Sequence, residues 1–416
     1  MNQMSPKPES DALAIEVVDT LAGFGAMKGA WEALAARDTA SGFYLSWDWL
    51  ARLFAQNPGR WLVLALRDPL HPGRLVAALP LRTSLRWSRT RMGFQTQLSA
   101  AGRLGFSEYT GFLCDPARET WAIPALGAAL ATMPFERFSL RYEPTLSRLR
   151  RFAAVFEPEL FEVTWPEHRI NGGETNQLVA PRVALPADFD SYTAGLSRNR
   201  RKKLFKARRA LEADGSLHFR LPDAASFEAD RDALLALWQT RWDGQMPADR
   251  IAETARAYGV WLDRCWSLGV LYMPMLWQGD RMIGALGNVM DRARGQMICV
   301  VTGRDMAEET LEIILLMHAE AIESAIAQGF STYDFGHGDE PYKYSFGAED
   351  KPLGYVDIRR RSRAPGGRFE PAGAAQGFGL VRSLVRQGRA EEALAALTEL
   401  EATIDPASGS AGFLAS

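Results

Sequence analysis

The two halves of this chain carry the same order of apolar segments, and that repeated order limits the folds open to it. Each half has two short apolar strands around a turn, then a third strand, a helix and a fourth strand. These segments are 61–67, 75–82, 109–113, 121–133 and 137–142 in the first half, and 271–277, 282–290, 296–302, 310–328 and 331–335 in the second. Because strands and helices in alternation bury their apolar faces against each other, the order predicts two α/β units in tandem.

The repeat, together with a change of composition near the C-terminus, predicts four segments. We place a first unit at 1–185 and a second at 186–362, which closes on an apolar strand at 354–360. Residues 363–377 are rich in glycine, alanine and proline, which is typical of a flexible linker. Residues 378–416 predict a helical hairpin extension, which serves as a terminal cap or as a docking site for a partner protein.

Composition and charge describe an ordinary globular protein without a general affinity for nucleic acid. The 416 residues include 48 Lys and Arg against 50 Asp and Glu, a formal net charge of -2. Such a balance gives no global attraction to DNA or to an anionic membrane. The first twenty residues lack the pattern of a signal peptide, and no apolar run reaches the roughly 18–20 residues that span a bilayer. We therefore expect a cytoplasmic protein with at most peripheral membrane contact.

The cysteines and the missing motifs exclude several common chemistries. Cys114, Cys265 and Cys299 are widely separated and form no Cys-x-x-Cys pair, which predicts buried thiols rather than disulfides or zinc ligands. The chain has no His-Glu-x-x-His motif, so no metal is expected. It also lacks the phosphate loop of nucleoside triphosphatases and the Gly-x-Ser-x-Gly elbow of α/β-hydrolases.

The densest local charge lies at 198–209 (RNRRKKLFKARR), where eight of twelve residues are basic and none is acidic. On a helical projection, apolar residues share one face and most basic residues lie opposite. Two interpretations remain open: a solvated surface helix, or a site for an anionic ligand that relieves the repulsion among like charges. Phosphate groups of a sugar nucleotide, lipid carrier, coenzyme or tRNA are the natural candidates.

A polar loop follows the segment 331–335. After Asp334, two glycines free the backbone to turn, and charged and aromatic side chains follow within a few positions. These side chains belong to Asp339, Glu340, Tyr342 and Lys343. They predict either a site loop whose carboxylates act as a base or bind the acceptor, or a polar turn in which Asp334 caps the backbone.

Two histidines near this loop are also open to two interpretations. His318 lies on the apolar stripe of the predicted helix 310–328, which favours a buried, hydrogen-bonded core residue over a catalytic one. His337 lies within the loop, where it is either solvated or a proton carrier.

Several segments together resemble the GNAT-type acyltransferases of the CelD cellulose-biosynthesis group, which are related to the FemABX peptidoglycan aminoacyltransferases. The resemblance covers roughly residues 31–360. Its matching pieces are FYLSWDWLARLF (43–54), LVAALPL (75–81), YTAGLSRNRRKKLFKARRALEADGSLHF (192–219), LWQTRW (237–242) and YDFGHGDEPYKYSFG (333–347). It implies an α/β fold of two tandem GNAT-like domains.

The resemblance also implies an activity. An acyl group passes from acetyl-CoA or another acyl-CoA to an amine or hydroxyl on a sugar-containing precursor of an extracellular polysaccharide, without a metal. The substrate is a phosphate-bearing small molecule or a lipid-linked sugar. In GNAT folds, backbone N–H groups near a splayed strand stabilise the developing oxyanion.

Residue roles follow from the same resemblance. Asp334 or Glu340 is expected as the base or the acceptor-orienting carboxylate, and Tyr342 as the proton donor to the leaving thiolate. Lys343 is expected to hold phosphates together with the basic face of 200–209. The predicted substrate-binding residues are Arg200, Arg201, Lys203, Arg208, Asp339, Lys343, Arg241 and Trp242.

The sequence departs from the group's pattern at two places. Trp238 stands where the group tends to have a histidine. Residues 304–310 (RDMAEET) have no glycine and three acidic side chains where a GNAT domain usually binds the coenzyme A pyrophosphate. Negative charge at that position repels a pyrophosphate.

Two alternatives therefore stay open beside acyl-CoA-dependent transfer. One is a FemABX-like transferase that uses aminoacyl-tRNA, with the basic helix against the RNA backbone. The other is a GNAT scaffold without activity that binds polysaccharide-synthesis proteins through its C-terminal helices. DNA is not expected as a partner in any of these.

Overall fold

The computed structural model describes residues 15–308, 312–361 and 373–404. Its first elements are β1 (Ile15–Val18), α1 (Leu21–Ala26), α2 (Lys28–Arg37), α3 (Trp47–Ala55), β2 (Trp61–Asp68), β3 (His71–Ser88), β4 (Gly93–Ala100), β5 (Leu113–Cys114), α4 (Glu119–Thr132), β6 (Arg137–Glu143), α5 (Leu146–Ala153) and β7 (Phe161–Thr164).

The middle of the chain forms β8 (Arg169–Ile170), β9 (Thr175–Asn176), β10 (Val179–Ala184), α6 (Phe189–Gly195), α7 (Arg198–Ala213), β11 (Leu217–Arg220), α8 (Phe227–Trp242), α9 (Ala248–Ser267), β12 (Leu271–Tyr272), β13 (Met275–Gln278), β14 (Arg281–Asp291), β15 (Gln296–Arg304), α10 (Ile313–Ala327), β16 (Thr332–Asp334), α11 (Pro341–Tyr344) and β17 (Glu349–Pro352). The last elements are β18 (Gly354–Arg360), α12 (Ala374–Arg386) and α13 (Ala390–Ile404).

The chain divides into two compact units, each built on an eight-stranded sheet. The first unit contains 1–166 and 353–416, and the second contains 167–352. The first sheet has the order β1-β2-β3-β4-β6-β18-β7, with β5 paired to β3, and the second has the order β11-β13-β14-β15-β16-β10-β17, with β12 paired to β14. The prediction of two tandem α/β units followed by a short helical extension is confirmed.

The unit boundaries differ from those expected from the sequence. The strand β18, expected to close the second unit, instead pairs antiparallel with both β6 and β7 in the first sheet. Conversely, β10 lies before the expected boundary at 185 but pairs with β16 and β17 in the second sheet. An apolar strand fits the interior of any sheet, so its pattern does not specify which sheet receives it.

The third strand of the first half also differs from the expectation. We expected it at 109–113, but the structure forms β4 from the alternating sequence GFQTQLSA, and only Leu113 of the expected segment enters a strand. Phe94, Leu98 and Ala100 of β4 are buried while the residues between them are not. Because polar residues separate the apolar ones in β4, the strand contains no apolar run that would predict it.

The core of the first unit lies between its sheet and helices α4 and α5. Leu79, Phe138 and Ile358 from three strands pack with Leu126 and Phe152 of these helices, and all five side chains are fully buried. Burial of this apolar area gives the unit its main stabilisation.

The C-terminal helices α12 and α13 pack against β3 and β4 of the first unit. Leu384 and Leu400 are buried there with Phe94, and Trp87 Nε1 donates a hydrogen bond of 2.9 Å to Glu392 Oε2. The helix α12 begins at Ala374, inside the segment 363–377 that we expected as a linker. Of that expected linker, 363–372 lies outside the described residues, as does 405–416 of the expected extension.

Helices cover both faces of the second sheet. Ile313 and Met317 of α10 contact Gly284 of β14, whereas Leu234 of α8 contacts Gly303 of β15. Gly284 is paired with Arg304, the residue after Gly303, so the two glycines point to opposite faces. The basic helix α7 lies on the α10 side, where Leu204 and Ala207 join the core.

Candidate functional site

The second sheet opens between β15 and β16. These parallel strands pair at only three positions, from Gln296 with Thr332 to Ile298 with Asp334. The strand β15 continues to Arg304, whereas the chain after Asp334 turns away at Gly336, whose φ is 70°. Within the described chain, no strand pairs with residues 300–304 on this side, so their backbone N–H and C=O groups face an opening.

A β-bulge lies at the same point of β15. Its partner β14 pairs Gly287 with Val301 and Asn288 with Cys299, so Val300 has no opposite residue. A bulge bends the strand and redirects its backbone groups, and such bulges are frequent beside active sites. The bulge and the opening together give β15 one edge whose donors are free for a ligand.

The carboxylate of Asp334 binds other groups of the protein. Asp334 is fully buried, and its Oδ2 lies 2.8 Å from Nε of Arg182, the residue opposite it on β10. Its Oδ1 accepts a hydrogen bond of 2.8 Å from the N–H of Gly336. These contacts match the polar turn in which Asp334 caps the backbone, and they leave Asp334 as a positioning residue for the loop.

Lys343 holds the loop by its backbone. The side chain is 3% exposed, and Nζ donates to the carbonyl oxygens of His337 and Gly338, each at 3.0 Å. Glu340 Oε2 lies 2.9 Å from the same ammonium group. Because its donors are occupied in this way, Lys343 is not available to hold a phosphate, in contrast to the sequence-based expectation.

Asp339 also has a structural partner. Its Oδ1 accepts a hydrogen bond of 2.7 Å from the N–H of Asn176 on β9. The neighbouring Gly338 has a φ of 103°, and a side chain at this position would overlap Glu340 and Gln177. The loop therefore has one defined conformation, set by contacts on both sides.

His318 lies at the centre of an aromatic cluster beside the loop. It is fully buried, with ring centroids 4.9 Å from Phe335, 5.2 Å from Phe346 and 5.8 Å from Tyr342. Burial, together with the positive charges of Lys343 and Arg200, lowers its pKa to about 3. The imidazole is therefore neutral, as expected for a core histidine.

A hydrogen-bond chain defines which nitrogen of His318 carries the proton. Asn288 Nδ2 donates to the carbonyl of Tyr272 at 3.0 Å, so its Oδ1 accepts the Tyr333 hydroxyl proton at 3.3 Å. The Tyr333 oxygen then accepts from His318 Nδ1, 2.9 Å away. Nε2 is left with a lone pair and, among the described residues, with no hydrogen-bond partner.

Tyr342 belongs to the same aromatic cluster, and its ring centroid lies 6.3 Å from that of Phe335. Its side chain is 40% exposed, but burial of the hydroxyl and the nearby Cys299 and Glu340 raise the pKa of Tyr342 well above its ordinary value. Cys299 belongs to the strand that carries the bulge, and its Sγ lies 3.6 Å from Thr302 Oγ1. Tyr342 thus keeps its proton at physiological pH and lies near the open edge of β15.

Acidic side chains from other segments of the same chain partly neutralise the positive charge of the basic helix α7. Lys203 Nζ lies 2.8 Å from Oε1 of Glu312, just before α10, and Arg208 forms an ion pair with Glu323. The sequence shows no acidic partner within 198–209, but the fold supplies these two from another element. Lys202, Lys206 and Arg209 remain exposed.

Arg200 connects α7 to the aromatic cluster. Its guanidinium group lies 4.4 Å from the ring centroid of Phe346, which packs on His318. Arg201 instead donates to the carbonyl of Ala194 at 3.4 Å. Four residues of α7 were predicted in the site, and among them Arg200 is the one whose described contacts reach the loop segment.

Arg241 and Trp242 lie apart from this cluster. They end helix α8, which covers the sheet face opposite α10, and the Arg241 guanidinium lies 5.2 Å from the Trp242 ring centroid. Trp238, which stands in place of the expected histidine, packs against Tyr258 of α9. The structure therefore does not bring Arg241 and Trp242 together with the loop.

The acidic segment before α10 is partly compensated. Asp305 forms an ion pair with Arg281, and its Oδ1 accepts a hydrogen bond of 2.8 Å from the N–H of Ala307. Residues 309 and 310 of the expected pyrophosphate loop lie outside the described residues. In the described parts of the chain, no three His, Cys, Asp or Glu side chains gather as a metal ion would require.

Comparison with known proteins agrees with this geometry. Residues 198–344 match the family described as acetyltransferase (GNAT) domain, a segment that runs from α7 through the opening to α11. The match identifies this part of the chain as a GNAT-type acetyltransferase domain, which supports an acyltransferase activity. None of the curated proteins compared with the chain matches it.

The solved structures to which the chain is similar are distant in sequence. FemX is 11% identical with a TM-score of 0.54, over 79% of this chain and 95% of that chain. A conserved protein of unknown function from Bacteroides thetaiotaomicron is 10% identical with a TM-score of 0.49, over 83% and 99%. A tandem GNAT protein from the clavulanic acid biosynthesis pathway is 11% identical with a TM-score of 0.46, over 83% and 98%. The likeness to FemX supports the fold.

Sequence reasoning missed several residues of this site. Cys299, Val300 and Tyr333 lie in apolar strands, where nothing in the pattern distinguishes them from core residues. Arg182 gave no signal because its partner Asp334 is more than a hundred residues away in the chain. A single sequence contains no sign of such pairings.

Proposed function

We propose that the chain transfers an acyl group from a thioester, acetyl-CoA or another acyl-CoA, to an amine or hydroxyl at the opening between β15 and β16. One observation carries the proposal: β15 has its bulge at Val300, and among the described residues no strand pairs with 300–304 on that side. Fixed N–H groups aimed at a developing oxyanion provide the largest stabilisation in acyl transfer. An extended thioester arm that contains amides fits such an edge, because it can add to the sheet as a strand does.

The residues beside the opening support roles for two side chains. The acceptor's lone pair forms the new bond to the carbonyl carbon as the C–S bond breaks. Tyr342, which keeps its proton, donates it to the leaving sulfur, and Glu340 receives the proton that the acceptor loses. Glu340 is suited to this because its side chain is 32% exposed. Glu340 then releases its proton to solvent, and Tyr342 takes one up from solvent.

We further propose that the acceptor is a sugar-containing precursor of an extracellular polysaccharide, carried on a phosphate-bearing nucleotide or lipid. The resemblance to the CelD group and the exposed cations of α7 support this substrate class. The C-terminal helices leave Phe378, Val385 and Leu394 exposed, which supports a role for them in contacting polysaccharide-synthesis proteins. No described helix is long and apolar enough to cross a membrane, and we propose the cytoplasm as the location.

Calorimetry with acetyl-CoA and an acyl-transfer assay test the proposal. We expect stoichiometric binding to the wild-type chain, and Tyr342→Phe should retain binding but lower kcat by about 10²-fold or more. Tyr344→Phe is the matched control, since its hydroxyl contacts Asp350 and it is exposed like Tyr342. Absence of acetyl-CoA binding, or equal activity of the two variants, would contradict the proposed mechanism.

A second candidate is transfer from aminoacyl-tRNA, which the exposed Lys202, Lys206 and Arg209 of α7 favour. It predicts a tRNA complex whose affinity falls steeply with salt. A gel shift with bulk tRNA at low salt distinguishes it, because acyl-CoA-dependent transfer predicts no shift. A scaffold without activity predicts neither this shift nor acetyl-CoA binding.

A further inference from the structure

The sheet of the first unit has a polar face opposite its core. Along β3, β4 and β6 the core residues alternate with polar ones, and cross-strand pairing aligns the polar ones in rows. Arg82 is opposite Ser99, which is opposite Ser139, and Gln97 is opposite Arg137. Arg141 of β6 is opposite Tyr355 of β18. Side chains in such rows lie close enough to contact one ligand together.

A cavity of about 440 Å³ lies on this face. Its volume falls within the range of small-molecule sites, roughly 300–1,000 Å³. Three serines, two glutamines and a tyrosine contribute to its lining. The arginines that line it are Arg60, Arg82, Arg86, Arg103, Arg137 and Arg141.

The charge of this cavity is poorly compensated by the protein. Asp357 lies on the same face, but Arg137 Nε binds its Oδ2 at 2.6 Å and Arg359 binds its Oδ1 at 3.1 Å. Among the described residues, no carboxylate forms an ion pair with four of the arginines, which are Arg60, Arg82, Arg86 and Arg103.

Some of the arginines also destabilise one another's charged forms, which lowers their pKa values. Burial lowers the pKa of Arg82, and the positive charges of Arg60 and Arg103 lower it further. Burial and the nearby Arg141 lower the pKa of Arg103 in the same way. Guanidinium groups held together without counter-charges are stabilised by an anion that contacts several of them.

We propose that this cavity binds a small molecule carrying a diphosphate group. The arginines come from β3, β6, the turn before β2 and the turn after β4, so a single phosphate group cannot contact all of them. Guanidinium groups bind phosphate oxygens in pairs. The serine hydroxyls of the central rows add neutral donors. The site lies in the first unit and is separate from the acyl-transfer site proposed in the second.

Calorimetry of the full chain with inorganic pyrophosphate at physiological ionic strength tests the proposal. We expect a binding event that Arg82→Gln/Arg103→Gln weakens at least tenfold. The control Arg382→Gln/Arg386→Gln removes the same charge from exposed positions of α12 and should leave the binding event unchanged. Inorganic phosphate should bind more weakly than pyrophosphate, because it occupies fewer of the arginines.

Two further variants keep the outcome clear. Lys202→Gln/Lys206→Gln on α7 should retain the event that the cavity variant loses, which separates the cavity from the basic helix. The single variant Arg86→Gln, at an exposed position, should weaken binding without affecting folding. Three outcomes would overturn the proposal: no pyrophosphate binding by the wild-type chain at 1 mM, undiminished binding by the cavity variants, or equal affinity for phosphate.

Discussion

At the scale of single residues, each unit contains a buried ionisable group, and the two groups differ in how well the protein compensates their charge. Lys343 in the second unit is surrounded by carbonyl oxygens and Glu340, so its charge is well compensated. Glu143 in the first unit is 2% exposed, and its Oε1 accepts a hydrogen bond of 2.8 Å from the N–H of Thr145. In the described structure its Oε2 has no hydrogen-bond partner. The carboxylate occupies the space that a side chain at Gly111 would fill.

Glu143 makes the stability of the first unit depend on pH. Burial raises its pKa to about 8, although the hydrogen bond from Thr145 and the charge of Arg148 oppose the shift. Between its ordinary pKa of 4.5 and about 8, the unfolded chain loses the proton while the folded chain keeps it. The contribution of Glu143 to the stability of the first unit is therefore fully present below about pH 4.5. It is lost as pH rises toward 8, and the loss is on the order of 5 kcal/mol.

The variant Glu143→Gln tests this dependence, because glutamine has a similar shape and does not titrate. Urea unfolding of both proteins should give a difference in unfolding free energy that moves in favour of the variant by several kcal/mol between pH 5 and pH 8.5. Identical pH profiles for the two proteins would show that Glu143 is ionised in the folded state.

The sequence predicted where the candidate site lies better than what each of its residues does. The loop after β16 was recognised from its glycines and its carboxylates, because turn chemistry depends on residues close in the chain. The roles of Asp334 and Lys343 depend on Arg182 and on carbonyl groups that the turn brings together. Whether a charged side chain faces a ligand or the backbone is a property of those contacts, which no local pattern contains.

At the scale of elements, the edge of β15 depends on how closely helix α8 approaches it. A Cβ atom at Gly303 would lie 2.8 Å from the backbone oxygen of Leu234 and 3.0 Å from Cβ of Leu237. Real Cβ atoms do not approach backbone atoms so closely, so only glycine allows this packing. Gly303 therefore sets the position of α8 on the strand that carries the bulge.

We expect Gly303→Ala to destabilise the second unit by about 2 kcal/mol, because α8 must move away from the sheet. Gly215→Ala is the matched control, since nothing lies within 4 Å of its added methyl group. Chemical denaturation of both variants measures the effect. Equal stability of the two would mean that α8 adjusts freely and does not define the edge.

At the scale of the whole molecule, the second unit is an insertion in a hairpin of the first. Strands β7 and β18 pair antiparallel, with Thr164 opposite Asp357, although residues 167–352 separate them in the chain. Strands near the two ends of the insertion also pair with each other, since Val179 of β10 lies opposite Pro352 of β17. Each unit thus has its own sheet and its own core.

This connectivity predicts which fragments fold. A fragment of 167–352 should unfold cooperatively, as should a chain that joins 1–166 to 353–416 by a short Gly/Ser linker. A fragment of 1–185 should not, because it lacks β18 between β6 and β7. Circular dichroism during thermal unfolding measures all three. Cooperative unfolding of 1–185 would contradict the division into these units.

Local pattern in the sequence was enough to predict two α/β units, helices such as α4 and α10, and the position of the polar loop, because these depend on neighbours within about a dozen residues. Three features needed the folded chain: the placement of β18, the opening beside β15 and the arginine-lined face of the first sheet. Each depends on residues that are distant in the chain. Arg137 and Asp357, for example, form a hydrogen bond although they are 220 positions apart. An apolar strand can enter either sheet, and a lone arginine resembles any surface charge, until long-range pairing places them beside their partners.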